Sequence, residues 1–198
     1  DFCLSRGLGD VYKRQLQDVM DGKLSLGQPL AIAPGDFCSD TEVFEPGYRQ
    51  DGTSLWEMLY WMIVSSDNTA TNTVISLLGY DHVNQYCRAI GLTQTSLQRK
   101  MLDFQAIAEG WNNYTSPADL YRVFSRLYHG EILNKPLREV AFDFLSRCRS
   151  TDALQRYIPD AVTVLHKPGG LDHLNHDVGI FLTDDRPYYC LLYTSDAA

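Results

Sequence analysis

The stretch that most constrains this chain is LWEMLYWMIVS, residues 55–65. Its apolar side chains fall on nearly every side of a helical projection. A helix of that kind must be surrounded by protein rather than laid on a surface. Whatever else the chain does, it has to fold as elements packed round a buried central helix.

That helix is expected from Leu55 to about Ser65, with Thr53 as its N-cap. Ser66-Asp67-Asn68 interrupts the apolar run. A second helix is expected from about Thr69 to Leu78, stopped by Gly79, and a third from Tyr80 to Ile90, closed by Gly91. A short helical stub covers Leu16 to Asp21. Residues 92–115 show no strong period, and loops of that length are uncommon unless they serve function. Ser116-Pro117-Ala118-Asp119 then combines an N-cap, a proline at the first helical position and an early acid. Its helix runs to about His129, with Leu120, Val123, Phe124 and Leu127 on one face. Another helix is expected from Pro136 to Cys148. Beyond it the period changes: Val162–Leu165, Val178–Leu182 and Tyr188–Leu192 read as strands. Helices followed by strands make an α/β chain of the α+β, sequential kind, with residues 16–150 mainly helical and 160–189 carrying the strands.

The two ends are set apart from this pattern. DFCLSRGLGDVYKRQ, residues 1–15, and CLLYTSDAA, residues 190–198, both resemble translated adapter sequence, which is excluded from fold reasoning. The authentic stretch is expected to run from Leu16 to Tyr189. The net charge is −8 over 198 residues and is the same without the ends. So acidic a chain is unsuited to a phosphate backbone, which calls for Lys and Arg, and nucleic acid is excluded as a partner. No apolar run reaches the ~18–20 residues of a membrane span. Cys38, Cys87 and Cys148 form no C-x-x-C pair and read as buried small hydrophobes. His82, His129, His166, His173 and His176 make no ligand pattern with acids or thiols, so no metal and no cofactor are expected.

Two short motifs carry chemistry. Ser66-Asp67-Asn68 stands between two helices, where by itself it reads as a polar cap, because these side chains compete for backbone hydrogen bonds. His166-Lys167-Pro168-Gly169-Gly170 follows a strand. By itself it reads as a hairpin turn with a surface lysine. It also places an ammonium beside open backbone amides, a combination that can hold an oxyanion or a carboxylate.

Together and in this order the motifs resemble the serine β-lactamase and penicillin-binding-protein superfamily, whose motifs are S-x-x-K, S-D-N and K-T-G. Ser66-Asp67-Asn68 stands unaltered, and Lys167-Pro168-Gly169 differs from K-T-G at its middle residue. The run Ser66-Asp67-Asn68-Thr69-Ala70-Thr71-Asn72 and the segment Asn113-Tyr114-Thr115-Ser116-Pro117 are similar to class A β-lactamases, and the likeness covers nearly all of residues 16–189. The resemblance implies a β-lactamase/transpeptidase-like fold, with an all-helical lobe and part of an antiparallel sheet. It implies that Ser66 relays a proton to the leaving nitrogen. Lys167 would support that hydroxyl electrostatically and attract the substrate carboxylate. Asn68 would bind the substrate's side-chain amide, with Gly169 beside it. The Gly170 N–H would complete an oxyanion hole, and Asp67 would hold the local backbone. His176 would take the place of a carboxylate-binding cation, a role an ordinary histidine fills below about pH 6.5. The implied partner is a small-molecule β-lactam or peptidoglycan-like amide, met outside the cytoplasm.

The departures are as informative as the matches. None of Lys13, Lys23, Lys100, Lys135 and Lys167 has a serine three residues before it, so the chain contains no S-x-x-K. The nucleophile is expected upstream of Leu16, which makes the chain a truncated piece that is inactive alone. Aligning Thr95-Ser96-Leu97-Gln98-Arg99 puts Met101 where the family has its deacylating Glu, with Asp103 and Glu109 near but out of register. Pro168 lacks both the usual hydroxyl and an N–H. The expected activity is therefore that of a β-lactamase-like serine hydrolase acting through an acyl-enzyme on β-lactams or related amides and esters. The alternatives are a D-Ala-D-Ala peptidase or esterase-like penicillin-binding protein, and a non-catalytic penicillin- or peptidoglycan-binding homologue.

Overall fold

The computed structural model describes residues 16–39, 41–48, 52–171 and 174–195. The expectations for residues 1–15, for residues 196–198 and for His173 lie outside these. A helical stretch at 16–20 leads into a two-residue strand, β1 (Pro29–Leu30), which pairs antiparallel with β2 (Thr53–Ser54). Six helices follow: α1 (Leu55–Val64), α2 (Asn68–Leu78), α3 (Tyr80–Ala89), the single turn α4 (Phe104–Ala108), α5 (Pro117–Tyr128) and α6 (Lys135–Ser146). The chain then forms a three-stranded antiparallel meander of β3 (Thr163–Leu171), β4 (Leu174–Leu182) and β5 (Tyr188–Ser195).

α1 is buried along one face rather than all round: Trp56 is exposed and Glu57, Tyr60 and Trp61 are half-buried. Leu55, Met58, Leu59, Met62, Ile63 and Val64 are all buried, and α2, α6 and β2 pack against it. Its N-cap is Ser54 rather than Thr53: the Ser54 hydroxyl accepts from Glu57 N at 3.2 Å, while Thr53 pairs with Leu30. The first free N–H groups of α1 are taken by the preceding loop, Leu55 N donating to Gln28 O and Trp56 N to Leu26 O. α5 starts as expected, with the Ser116 hydroxyl accepting from Asp119 N at 3.1 Å. α6 stops at Ser146, leaving Cys148 beyond its end. The loop at 92–115 contains one turn of helix, α4, and is closed by a bridge between Ser96 and Tyr114.

The strands are longer than the β-branched residues alone suggest. β3 carries Lys167, Pro168, Gly169 and Gly170 within its ladder instead of turning after Leu165. β3 is the outer strand of the described sheet, where a proline is tolerated. β5 continues in register past Tyr189, the last residue before the stretch that resembles adapter sequence, to Ser195. Leu165, Val178 and Ile180 join the helical residues in one core, and Tyr189 and Leu191 pack at its margin. Cys38, Cys87 and Cys148 are buried thiols. Among the described residues no helix is long and apolar enough to cross a membrane.

Candidate active site

Ser66 occupies the junction between α1 and α2 with φ +58°, a left-handed conformation that a non-glycine residue adopts only when its surroundings hold it there. Asp67 supplies the hold. Its side chain is 1% exposed and saturated with donors. Oδ1 caps α2 by accepting from Ala70 N at 2.8 Å. Oδ2 accepts from Val43 N at 3.0 Å, from Phe44 N at 3.3 Å and from the Thr41 hydroxyl. The Asp67 N–H donates back to Trp61 O, the carbonyl that also accepts from Ser65. A tripeptide that could have been a simple cap is thus a cap and a brace for the 41–44 loop. Asn68 opens α2 and is half-buried.

The structure brings the two motifs together. Lys167 Nζ donates to Ser66 Oγ, although the residues are 101 positions apart, and also to Pro168 O at 2.8 Å. The lysine is 5% exposed, so it is not a surface residue on a turn. Placing Lys167 inside the β3 ladder fixes which face its stem leaves from. Val178 is its partner in the register, and His176 sits opposite Gly169 two positions along the same face. His176 is buried, Gly169 is half-buried, and Gly170 is exposed. An ammonium, a hydroxyl and a buried histidine therefore line one side of β3 and the α1–α2 junction. An ammonium held on a hydroxyl favours the oxyanion form of that group and suits it to pass a proton.

The loop beside this site is built from its backbone. Asn84 exchanges two hydrogen bonds with Leu97, both at 2.8 Å. Asn113 Oδ1 accepts from Gln98 N and Arg99 N, and its Nδ2 donates to Arg99 O. Asn72, on α2, clamps Met101: Met101 N donates to Asn72 Oδ1 at 2.7 Å, and Asn72 Nδ2 reaches Met101 O at 3.3 Å. The Met101 side chain is 3% exposed and belongs to the core. Asp103 is used as the N-cap of α4, accepting from Ala106 N, and Glu109 accepts from Gln105 at the end of that turn. No carboxylate stands at position 101.

Sequence reasoning missed what lies behind Lys167. His166 and Asp177, both 0% exposed, are joined through Nδ1 at 2.9 Å. Cys148 lies against the His166 carbonyl at 2.9 Å. The signal was the alternation along β3, which sends His166 to the face opposite Lys167.

Comparison with known proteins agrees with this geometry. A family model described as the β-lactamase enzyme family matches residues 12–198. A β-lactamase of Streptomyces cellulosae is 33% identical over 110 residues, covering 54% of this chain and 35% of the relative. β-Lactamase FAR-1 of Nocardia farcinica is 28% identical over 137 residues, covering 67% of this chain and 44% of the relative. This chain thus spans less than half the length of either curated relative. Among solved structures, a mutant of PBP-A in an acyl-enzyme complex with penicillin G shares the fold with a TM-score of 0.86 at 24% identity, over 96% of this chain and 70% of that one.

Proposed function

The chain belongs to the β-lactamase enzyme family, and from that premise we propose that it carries the proton-relay and oxyanion half of a serine hydrolase that acylates on β-lactams or related small amides and esters. The observation that carries this reading is the hydrogen bond from Lys167 Nζ to Ser66 Oγ. In the proposed reaction a nucleophilic serine attacks the amide carbonyl and gives up its hydroxyl proton. Ser66 donates its own proton to the departing nitrogen as the C–N bond breaks and is reprotonated by the one the nucleophile released, while Lys167 stabilises the charge that develops on the Ser66 hydroxyl. The Gly170 N–H receives the developing oxyanion. Asn68 holds the substrate's side-chain amide beside Gly169, and Lys167 with His176 attracts its carboxylate. Asp67 keeps Ser66 in its left-handed conformation. The S-x-x-K that supplies the nucleophile does not occur in the 198 residues, so this polypeptide alone is expected to be inactive. By its family the protein acts outside the cytoplasm.

A second reading has its own support. With Met101 in place of an acid, nothing in register activates a water on the acyl-enzyme, which favours a penicillin-binding protein with slow release over a fast β-lactamase. A non-catalytic penicillin- or peptidoglycan-binding homologue is the reading in which no serine nucleophile exists at all.

One set of measurements separates these readings. Expressed from its whole reading frame, the protein is expected to take up fluorescent penicillin covalently and to turn nitrocefin over slowly. Lys167→Met is expected to slow that acylation by about 10²–10³-fold. The 198-residue chain alone should hydrolyse nitrocefin no faster than buffer. Rapid nitrocefin turnover would favour the β-lactamase, and a frame with no S-x-x-K and no covalent label would remove the enzyme reading.

A further inference from the structure

Just past the end of α6, Cys148 lies buried between the two motif-bearing elements. Its Sγ is 2.9 Å from the His166 carbonyl O on β3 and 3.4 Å from the Ile63 carbonyl O near the end of α1. Ile63 O is among the last carbonyls of a helix, which have no partner within it. The next residue continues the seam. Arg149 N donates to Val64 O at 2.9 Å, and the Arg149 guanidinium lies 4.9 Å over the Trp61 ring and 3.4 Å from Glu42 Oε2. Further on, Leu154 N donates to Asp177 Oδ2 at 3.2 Å. That carboxylate also receives His166 Nδ1.

The seat of His166 is cut to fit. Gly179 faces it across the ladder, where a Cβ would lie 2.7 Å from His166 Cβ and 2.6 Å from Leu165 O. Only glycine lets β4 approach the His166 Cβ and the adjoining backbone this closely. His166 Nε2 is buried with no hydrogen-bond partner among the described residues, so the ring is oriented through Nδ1. Residues 148–154 thus form a strap. They tie the end of α1 to β3 and β4 at positions directly beside the site, since Ser66 follows Val64 by two residues and Lys167 follows His166.

We propose that Cys148, backed by the His166–Asp177 pair, is a positioning residue that sets the approach of the Lys167 ammonium to the Ser66 hydroxyl. The proposal rests on the acyl-transfer reading above. Cys148 acts as a neutral donor between two carbonyl oxygens. Burial pushes its thiol up to about 11, with Asp177 adding to the rise and Lys167 opposing it, so the S–H is intact at neutral pH. Such a thiol is inert as a nucleophile. Alanine in its place would leave the Ile63 and His166 carbonyls without the thiol that lies between them.

The test uses the protein expressed from its whole reading frame with lysine labelled at 13Cε, the Lys167 signal being identified by its loss in Lys167→Arg. Cys148→Ala is expected to move that signal and its titration midpoint. It is also expected to slow acylation by fluorescent penicillin about 10- to 100-fold, with little change in non-covalent affinity. Cys148→Ser keeps a donor and should restore both. Cys87→Ala removes a buried thiol from α3 and should change neither. Should Cys148→Ala not fold, Asp177→Asn keeps the shape, weakens the hold on His166 and is expected to move the Lys167 signal instead. The proposal is overturned if the first of these variants that folds leaves the Lys167 signal unmoved, if Cys87→Ala moves it equally, or if Cys148→Ser fails to restore it. The signal needs no reaction. A protein that never acylates, yet loses the Lys167 position in Cys148→Ala, removes the acyl-transfer reading and leaves the positioning intact.

Discussion

The Ser66–Lys167 contact and the loop at Met101 are finished to different degrees. At the first, two chemistry-bearing side chains meet across 101 residues and are braced from behind. At the second, the backbone is firmly held and a buried methionine stands where an acid was expected. Asn72, Asn84 and Asn113 fix the loop wholly through main-chain N–H and C=O groups. None of those bonds depends on which side chain stands at 101. The difference teaches that a loop held by its backbone can keep its shape whichever side chain stands at its centre. A contact made between side chains has no such freedom, because changing either residue destroys it.

The sharpest way to break the contrast is to place an acid at position 101. In the protein from the whole reading frame, Met101→Glu is expected to shorten the lifetime of the penicilloyl adduct by about 10²-fold, the usual return on a placed general base. Met101→Gln, equal in length and without a base, should not. The buried position raises the pKa of a carboxyl, so the gain should grow as pH rises through neutrality. Adduct lifetime followed by fluorescence decides it. A folded Met101→Glu protein with an unchanged lifetime would show that position 101 does not face the acyl group.

The scaffold side of the contrast can be attacked alone. Asn72→Ala removes both arms of the clamp and strands a buried Met101 N–H, which costs about 2–3 kcal/mol of folding stability. Denaturant unfolding measures the loss, and amide exchange should place it at residues 99–102. The same variant is expected to leave the rate of acylation nearly as it was. Equal damage to acylation would mean that the two regions are one unit and the contrast is false.

How much of this was legible in the sequence follows from how local each cause is. The apolar run 55–65, the capped start of α5 and the order of helices before strands are set by short-range pattern, and the structure has them. The register that sets Met101 where the family has its Glu is an expectation from residues 95–99, to which the structure adds a clamp by Asn72 on the Met101 backbone. Three things were misjudged. Thr53 looked like a cap because Thr and Ser adjoin, but the helix begins at Leu55, so it is Ser54 whose hydroxyl meets Glu57 N. The strand through Lys167 looked finished at Leu165, because Pro168 and two glycines read as a turn; on an outer strand with a complete partner they do not break it. The Cys148–His166–Asp177 group was invisible, since it joins residues from α6's end, β3 and β4 that no spacing relates.

That hidden group also gives the contrast its smallest and most specific test. A thiol is neutral when protonated. Burial holds Cys148 up at about 11, above the ordinary 9.0 taken for the unfolded chain. The unfolded state therefore loses its proton first as pH rises. The stability this linkage contributes is complete below about pH 9 and is lost progressively toward pH 11. Between pH 9 and 10 the loss amounts to about 1 kcal/mol. Tyr80, Tyr189 and Cys190 are raised as well and act in the same direction, so the thiol's part must be read as a difference. Cys148→Ser has a hydroxyl that does not titrate in this range. Its urea-unfolding stability should fall less steeply with pH than that of the unchanged protein, the two curves separating by about 1 kcal/mol at pH 10. Parallel curves would mean that the thiol does not stay protonated behind Lys167, and the acylation side would then rest on its side-chain contact without that support.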